Sequence, residues 1–134
     1  MSTELVIDEN APAPKGYADG RIGRGRVLHI AGQVGWDARQ QFVAKDMVGQ
    51  FAQALDNVLK VLRLAHAHVD DIAEMTIYVT DIVAYRAARK QLGPIWRERL
   101  GSFFPAMALV GVAALVEPDA LIEIQAVAYL EHAP

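Results

Sequence analysis

The longest regular pattern of apolar positions in the chain lies between residues 46 and 65. Apolar residues recur there at steps of three and four, which is typical of one buried stripe on an α-helix. The stripe consists of Val48, Phe51, Leu55, Val58, Leu62 and Ala65. The same spacing predicts a second helix over residues 83–100, with a stripe formed by Tyr85, Ala88, Leu92, Trp96 and Leu100. Pro94 lies inside this second helix and lacks a backbone N–H, so we predict a kink or a break near Gly93.

Shorter segments carry the apolar or alternating pattern of β-strands. They are residues 5–7, 18–22, 26–31, 72–80, 106–115 and 121–130. A loop rich in Pro and Gly at residues 11–16 separates the first two. In the third segment, Gly32 is expected to end the strand. His29 alternates there with apolar residues, so we expect it to be buried and hydrogen-bonded.

The order of these elements is strands, helix, strand, helix and two strands, which predicts a single α+β domain over residues 1–134. Two helices can cover only one face of a mixed sheet. The other face is predicted to carry Leu109 or Val110 together with Leu121, Val127 and Tyr129, and it is too apolar to remain in water. The pattern therefore predicts a homo-oligomer that associates through this open face.

Composition narrows the function classes further. Hydrophobic residues make up 53% of the 134 residues and charged residues 22%, as in a globular domain. The net charge of -3 argues against nucleic acid as a partner. Cysteine is absent, which excludes disulfides and thiolate nucleophiles. No signal peptide and no membrane span are visible, so we expect a soluble cytoplasmic protein.

An ordered set of motifs resembles the Rid/YjgF family, whose members are also described as endoribonuclease L-PSP proteins. The set comprises the segment 11–17, AGQV at 31–34, QALDNV at 53–58, TIYVTD at 76–81, FPA at 104–106 and IEIQAVA at 122–128. The resemblance implies a chorismate-mutase-like fold and a homotrimer in which three sheets form an inner barrel. It also implies small-molecule pockets at the subunit interfaces and the deamination of reactive enamines and imines without a metal or an organic cofactor.

The resemblance also implies roles for individual residues. Tyr17 matches a loop tyrosine at the rim of the pocket, where its phenol can donate a hydrogen bond or stack on a planar ligand. Gly32 matches a glycine whose backbone lines the pocket, and Gln33 follows it in the same motif. Glu123 matches the glutamate that positions the attacking water. Each role has a structural alternative. Tyr17 would be an ordinary loop tyrosine, Gly32 would only end its strand, and Glu123 would be a buried structural carboxylate.

Met107 is the departure from the family pattern. The matching family residue is an arginine that grips the substrate carboxylate through two charge-assisted hydrogen bonds. Methionine has no donor and no charge, so ordinary 2-aminoacrylate deamination should be weak or absent. Arg89, on the second helix, is a candidate replacement cation; the alternative, favoured by helix patterning, is a solvated arginine beside Arg86 and Lys90.

Other polar clusters give weaker signals. His66 and His68 lie two residues apart in a connection, and this spacing favours a surface loop over a metal site. Ser102 has no His/Asp partner pattern, so a serine nucleophile is not supported.

Three functions follow in order of preference. The first is a Rid-family deaminase with an altered substrate range. The second is a non-catalytic trimer with a ligand-binding or regulatory role. The third is a ribonuclease, which the acidic balance and the lack of a clear His/Lys set disfavour.

Overall fold

A computed structural model describes residues 3–131 of the chain. The elements are β1 (Thr3–Val6), β2 (Gly20–Gly23), β3 (Arg26–Val34), α1 (Met47–Leu64), β4 (Ile72–Val79), α2 (Ile82–Leu100), β5 (Ala106–Gly111) and β6 (Ile122–Leu130). A 3-10 turn at Val69–Asp71 leads into β4. The order confirms the predicted α+β class, with bounds that differ by a few residues and a β5 that is shorter than predicted.

The strands form two sheets. β1 and β2 pair antiparallel as a small separate ribbon, and the main sheet has the order β3-β6-β4-β5. β4 and β5 run parallel, whereas β6 runs antiparallel to both of its neighbours, so the sheet is mixed as predicted. Both helices contribute to one core against this sheet, and the apolar side chains of β4 that point toward them are fully buried. These side chains are Met75, Ile77 and Val79.

Both helices begin at an aspartate. Asp46 accepts a hydrogen bond from the backbone N–H of Gly49, and Asp81 accepts one from that of Ala84. Such caps satisfy N–H groups that have no partner inside the helix. Of the kink or break predicted near Gly93, the break is wrong, because α2 continues through Pro94 to Leu100. Pro94 lies on the exposed side of the helix, where water can satisfy the carbonyl that the missing N–H leaves.

Two predictions for β3 are also wrong. The strand does not end at Gly32 but continues to Val34, with a register shift between Ile30 and Gln33 that absorbs the irregularity. His29 is exposed rather than buried. Its partner across the strand pair is Val127, which places it on the face that the helices leave open.

The open face is less apolar than the pattern predicted. Val127 and Tyr129 are half-buried, and Val110 is 41% exposed. Leu109 lies opposite Ile77 and therefore points toward the helices, and Leu121 packs against the core. Within residues 3–131, neither helix is long and apolar enough to cross a membrane.

Candidate functional site

Three of the predicted site residues meet beside the edge strand β5. Tyr17, Arg89 and Met107 line an open chamber of about 380 Å³ between α2 and β5. The loop that carries Tyr17 is fixed to the start of β5, because the backbone N–H of Ala18 donates to the carbonyl of Pro105 at 2.9 Å. The backbone therefore holds the tyrosine at the rim of this chamber.

Met107 points toward the helices. It lies directly opposite Met75 of β4, whose side chain is fully buried in the core. Met107 is itself half-buried and packs against that core. A thioether in this place gives the chamber a polarizable, apolar wall without a hydrogen-bond donor.

A second, smaller cavity of about 240 Å³ lies beneath α2 and shares Met107 with the chamber. Its walls are mostly apolar and aromatic. They include Phe51, Ile77, Leu92, Trp96 and Phe104. We call the larger space the outer chamber and the smaller one the inner cavity.

Polar groups are concentrated where the two spaces join. Gly16, Tyr85 and Arg89 line both, and Lys15 lines the inner cavity. Burial raises the pKa of the Tyr85 phenol above its usual value, and the nearby positive charge of Arg89 acts in the opposite direction. Arg89 is exposed, as expected for an arginine that is solvated on the helix surface. It also borders both spaces, as a substrate-binding arginine would have to do.

Glu123 and Gly32 meet elsewhere, on β6 and β3. The carboxylate of Glu123 lies against the backbone of Gly32 so closely that a Cβ atom built on the glycine would be 2.5 Å from Oε2. Any side chain at position 32 would displace this carboxylate. The glycine is thus required by the close approach of an acidic group.

Gln33 does not join that pair. Its side chain donates to the backbone carbonyl of Ala31 at 3.0 Å, and it lines a separate shallow depression with Trp36 and Asn57. Asn57 donates to the carbonyls of Val34 and Trp36 at 2.9 and 2.8 Å. The end of β3 is therefore fixed by α1, and Gln33 lies in this supporting region.

The two groups of residues lie on opposite faces of the sheet. Glu123 is opposite Tyr78 of β4, and Met107 is opposite Met75 of the same strand. Positions 75 and 78 are three residues apart, and residues an odd number apart on a strand point to opposite faces. Within one chain, the side chains of Glu123 and Met107 therefore point to opposite sides of the sheet.

Two supporting residues were not identified from the sequence. Gln50 is 1% exposed; its side chain donates to the carbonyls of Ala44 and Asp119 and accepts from the backbone N–H of Leu121 at 2.7 Å. It thereby fixes the segment that leads to Glu123. The signal for Gln50 was a polar residue beside the apolar stripe of α1.

Arg21 supports the other group of residues. Its Nε atom donates to the carbonyl of Phe104 at 2.9 Å, and its guanidinium lies 4.2 Å from the centre of the Phe103 ring. Desolvation lowers the pKa of Arg21, partly offset by the carboxylate of Asp70. Arg21 is thus a structural residue for the start of β5. Within residues 3–131, no three His, Asp or Glu side chains are grouped as ligands for a metal ion.

Comparison with known proteins identifies the family of this chain. The family model for endoribonuclease L-PSP matches residues 8–130, and the chain belongs to that family, which is also known as Rid/YjgF. A RutC family protein of Pyrococcus horikoshii is 33% identical over 96% of this chain and 98% of its own. The 2-iminobutanoate/2-iminopropanoate deaminase of Escherichia coli is 32% identical over 94% of this chain and 97% of its own.

Solved structures agree with the sequence relatives. A Rid family protein of unknown function from Yersinia pestis superimposes with a TM-score of 0.83 at 34% identity, covering 97% of this chain and all of its own. The YjgF gene product of Escherichia coli has a TM-score of 0.69 at 31% identity, covering 94% of this chain and 98% of its own. The predicted family and the arrangement of two helices on a mixed sheet are confirmed.

Proposed function

We propose that this protein is a homotrimeric deaminase of imines and enamines with an altered substrate range. The observation that supports this most directly is the placement of Glu123 and Met107 on opposite faces of the sheet. A pocket that uses both residues needs Glu123 from one subunit and Tyr17, Arg89 and Met107 from a neighbour. The partly apolar open face, with Val110, Val127 and Tyr129, offers a surface for that association.

The chemistry needs only a positioned water and a carboxylate. Glu123 accepts a proton from the water as the water oxygen bonds to the imine carbon, and the same carboxyl group then gives this proton to the imine nitrogen. The carbinolamine loses ammonia when its hydroxyl proton passes through Glu123 to the amine, its C–N bond breaks and the carbonyl forms. The balance is one imine and one water giving one ketone or aldehyde and one ammonia. An enamine enters the same route after protonation on carbon.

The bound molecule would be fixed by the residues around Met107. Tyr17 supplies a phenol at the rim, and the backbone of Gly32 allows close approach on the side of Glu123. No donor at position 107 can hold a carboxylate next to the reacting carbon. Substrates whose carboxylate is absent, or is bound by another cation, therefore suit this pocket best.

The test is turnover of imines formed in situ from a range of amino acids by an amino-acid oxidase. Semicarbazide traps the free imine, so a deaminase lowers the rate of semicarbazone formation. We expect activity on at least one imine and a loss of at least about a hundredfold in Glu123→Gln. Glu74→Gln is the matched control, since Glu74 is another carboxylate on the same face. Equal activity in Glu123→Gln and the wild type would contradict the assignment.

A binding protein without catalysis is the second candidate, and Met107 is the observation that favours it. Ligand binding that persists in Glu123→Gln, with no turnover of any imine by the wild type, would establish this alternative.

A further inference from the structure

The inner cavity is built to hold an apolar group. Phe51, Ile77, Leu92 and Trp96 form its walls, and each is between 1% and 6% exposed. Small-molecule pockets usually measure about 300–1,000 Å³, so a cavity of about 240 Å³ suits one substituent of a ligand rather than a whole ligand. The outer chamber, of about 380 Å³, has room for the remainder.

The walls of the inner cavity are held rigidly. The indole N–H of Trp96 donates to the carbonyl of Phe103 at 3.0 Å, and the Trp96 ring stacks on Phe104 with 5.5 Å between centroids. Side chains fixed in this way cannot collapse to fill the space. A ligand group that enters the cavity therefore gains contact area without reorganising the protein.

The junction between the two spaces suits an anion. Arg89 and Tyr85 line both spaces there, and the two side chains are near enough for the charge of Arg89 to influence the phenol. Burial favours the neutral phenol, which is the form that can donate a hydrogen bond to a carboxylate. A guanidinium and a phenol at the mouth of an apolar cavity can thus bind a carboxylate whose neighbouring side chain points inward.

We propose that the substrates are 2-imino acids with a bulky apolar or aromatic side chain, bound with that side chain in the inner cavity and the carboxylate on Arg89. This rests on the proposed deaminase function. Tyr85 supports the carboxylate by donating from its hydroxyl. Methionine at position 107 fits this arrangement, because Met107 lines both spaces and a longer, charged arginine side chain there would take up room that the apolar side chain of the ligand needs.

The first experiment measures how turnover depends on side-chain size. Imines are generated from alanine, 2-aminobutyrate, leucine and phenylalanine under the same semicarbazide assay. Each buried methylene is worth about fourfold in binding, so we expect kcat/KM for the leucine-derived imine to exceed that for the alanine-derived one by more than about tenfold. Equal or reversed preference would overturn the proposal.

The second experiment does not require catalysis. Titration calorimetry with 4-methyl-2-oxopentanoate and pyruvate, which are the corresponding carbonyl products, measures ligand preference directly. We expect the larger oxo acid to bind more tightly, and Arg89→Ala to weaken its binding about ten- to a hundredfold. Lys90→Ala is the matched control, because it removes the same charge from the next residue, which lines neither space.

The two experiments separate the two proposals. Tight, Arg89-dependent binding of the larger oxo acid without turnover of any imine would defeat the deaminase function and support the ligand class. Turnover that favours the alanine-derived imine would support the deaminase function and defeat the proposed ligand class. Equal losses in Arg89→Ala and Lys90→Ala, or no binding of either oxo acid, would overturn the role of Arg89.

Discussion

The two sides of the sheet differ in how closely they keep the family pattern. On the open face, Glu123 lies against Gly32. The family resemblance predicts that Glu123 positions the attacking water and that the backbone of Gly32 lines the pocket. On the helix face, methionine occupies position 107, where the family resemblance predicts an arginine, and the surrounding walls are mostly apolar and aromatic. Under the proposed function, the fold therefore places the reacting carboxylate on one face of the sheet and the groups that select the substrate on the other. Because the two lie on different faces, one can change while the other is kept.

The strongest test of this separation mixes two inactive proteins. Glu123→Gln removes the reacting carboxylate, and Met107→Trp fills the space on the helix face. Each alone should lose at least about a hundredfold in activity. Co-expressed and purified as mixed trimers, they should recover about a third of wild-type activity, because one of the three pockets in either mixed trimer combines an intact Glu123 with an intact Met107. Activity is measured on mixed trimers purified through two different tags.

The control is a mixture of the same two proteins purified separately and combined without subunit exchange, which should stay inactive. Mixed trimers that remain as inactive as their parents would show that both residues serve pockets formed within one chain, and the comparison of the two faces would lose its functional meaning.

A second test concerns the support of the Glu123 side. Gln50→Leu should lower the free energy of unfolding by about 2–4 kcal/mol, because it leaves the backbone N–H of Leu121 and two carbonyls without partners. Gln53→Leu, three residues along the same helix, should cost less than about 1 kcal/mol, since Gln53 donates one hydrogen bond to Asn57 at a half-buried site. Urea unfolding followed by circular dichroism measures both. Equal losses in the two variants would show that the segment before β6 does not depend on Gln50.

The contrast between the faces also explains what the sequence could predict. The helices and the core face of β4 follow from apolar spacing, because burial against one surface imposes a period. The exposed position of His29 does not follow, since alternation does not distinguish the face of a sheet that packs on helices from the face that the helices leave open. The continuity of α2 through Pro94 depends on which side of the helix meets water.

Individual residues of the site were predictable from the sequence, but their arrangement in space was not. Tyr17, Arg89 and Met107 were each singled out, but their meeting with Tyr85 depends on the packing of α2 against β5, which local patterns do not specify. Gln50 was missed because a buried glutamine is recognisable only by its three backbone partners, and two of these are about 70 positions away in the chain.

A third test restores the family residue on the helix face. Met107→Arg should raise kcat/KM for the alanine-derived imine by about ten- to a hundredfold, because a guanidinium adds a charge-assisted contact to the carboxylate. The same change should lower activity on the leucine-derived imine, because the arginine side chain would take up space beside the inner cavity. Met107→Leu is the control and should alter neither by much. If Met107→Arg raised or lowered kcat/KM for both imines together, the residue at position 107 would not select between carboxylate binding and room for a large side chain.

The smallest effect concerns the phenol on the helix face. The pKa of Tyr85 is raised above its ordinary value of 10.0 by burial, so the unfolded chain releases this proton at lower pH than the folded protein does. The contribution of Tyr85 to stability is therefore complete below pH 10.0 and is lost as the pH rises through the folded pKa. Tyr85→Phe should make the unfolding free energy fall less steeply with pH in this alkaline range, as measured by urea unfolding at closely spaced pH values.

Arg89→Ala sharpens the same measurement. Arg89 acts to lower the pKa of Tyr85, so its removal should raise that pKa further and steepen the alkaline loss of stability. Arg89→Ala in the Tyr85→Phe background should then have no effect on the slope. Arg89→Ala could instead change the pH dependence of the unfolding free energy equally in the wild-type and Tyr85→Phe backgrounds. This result would mean that the two side chains do not interact, and Tyr85 would no longer count as a donor in the proposed anion site.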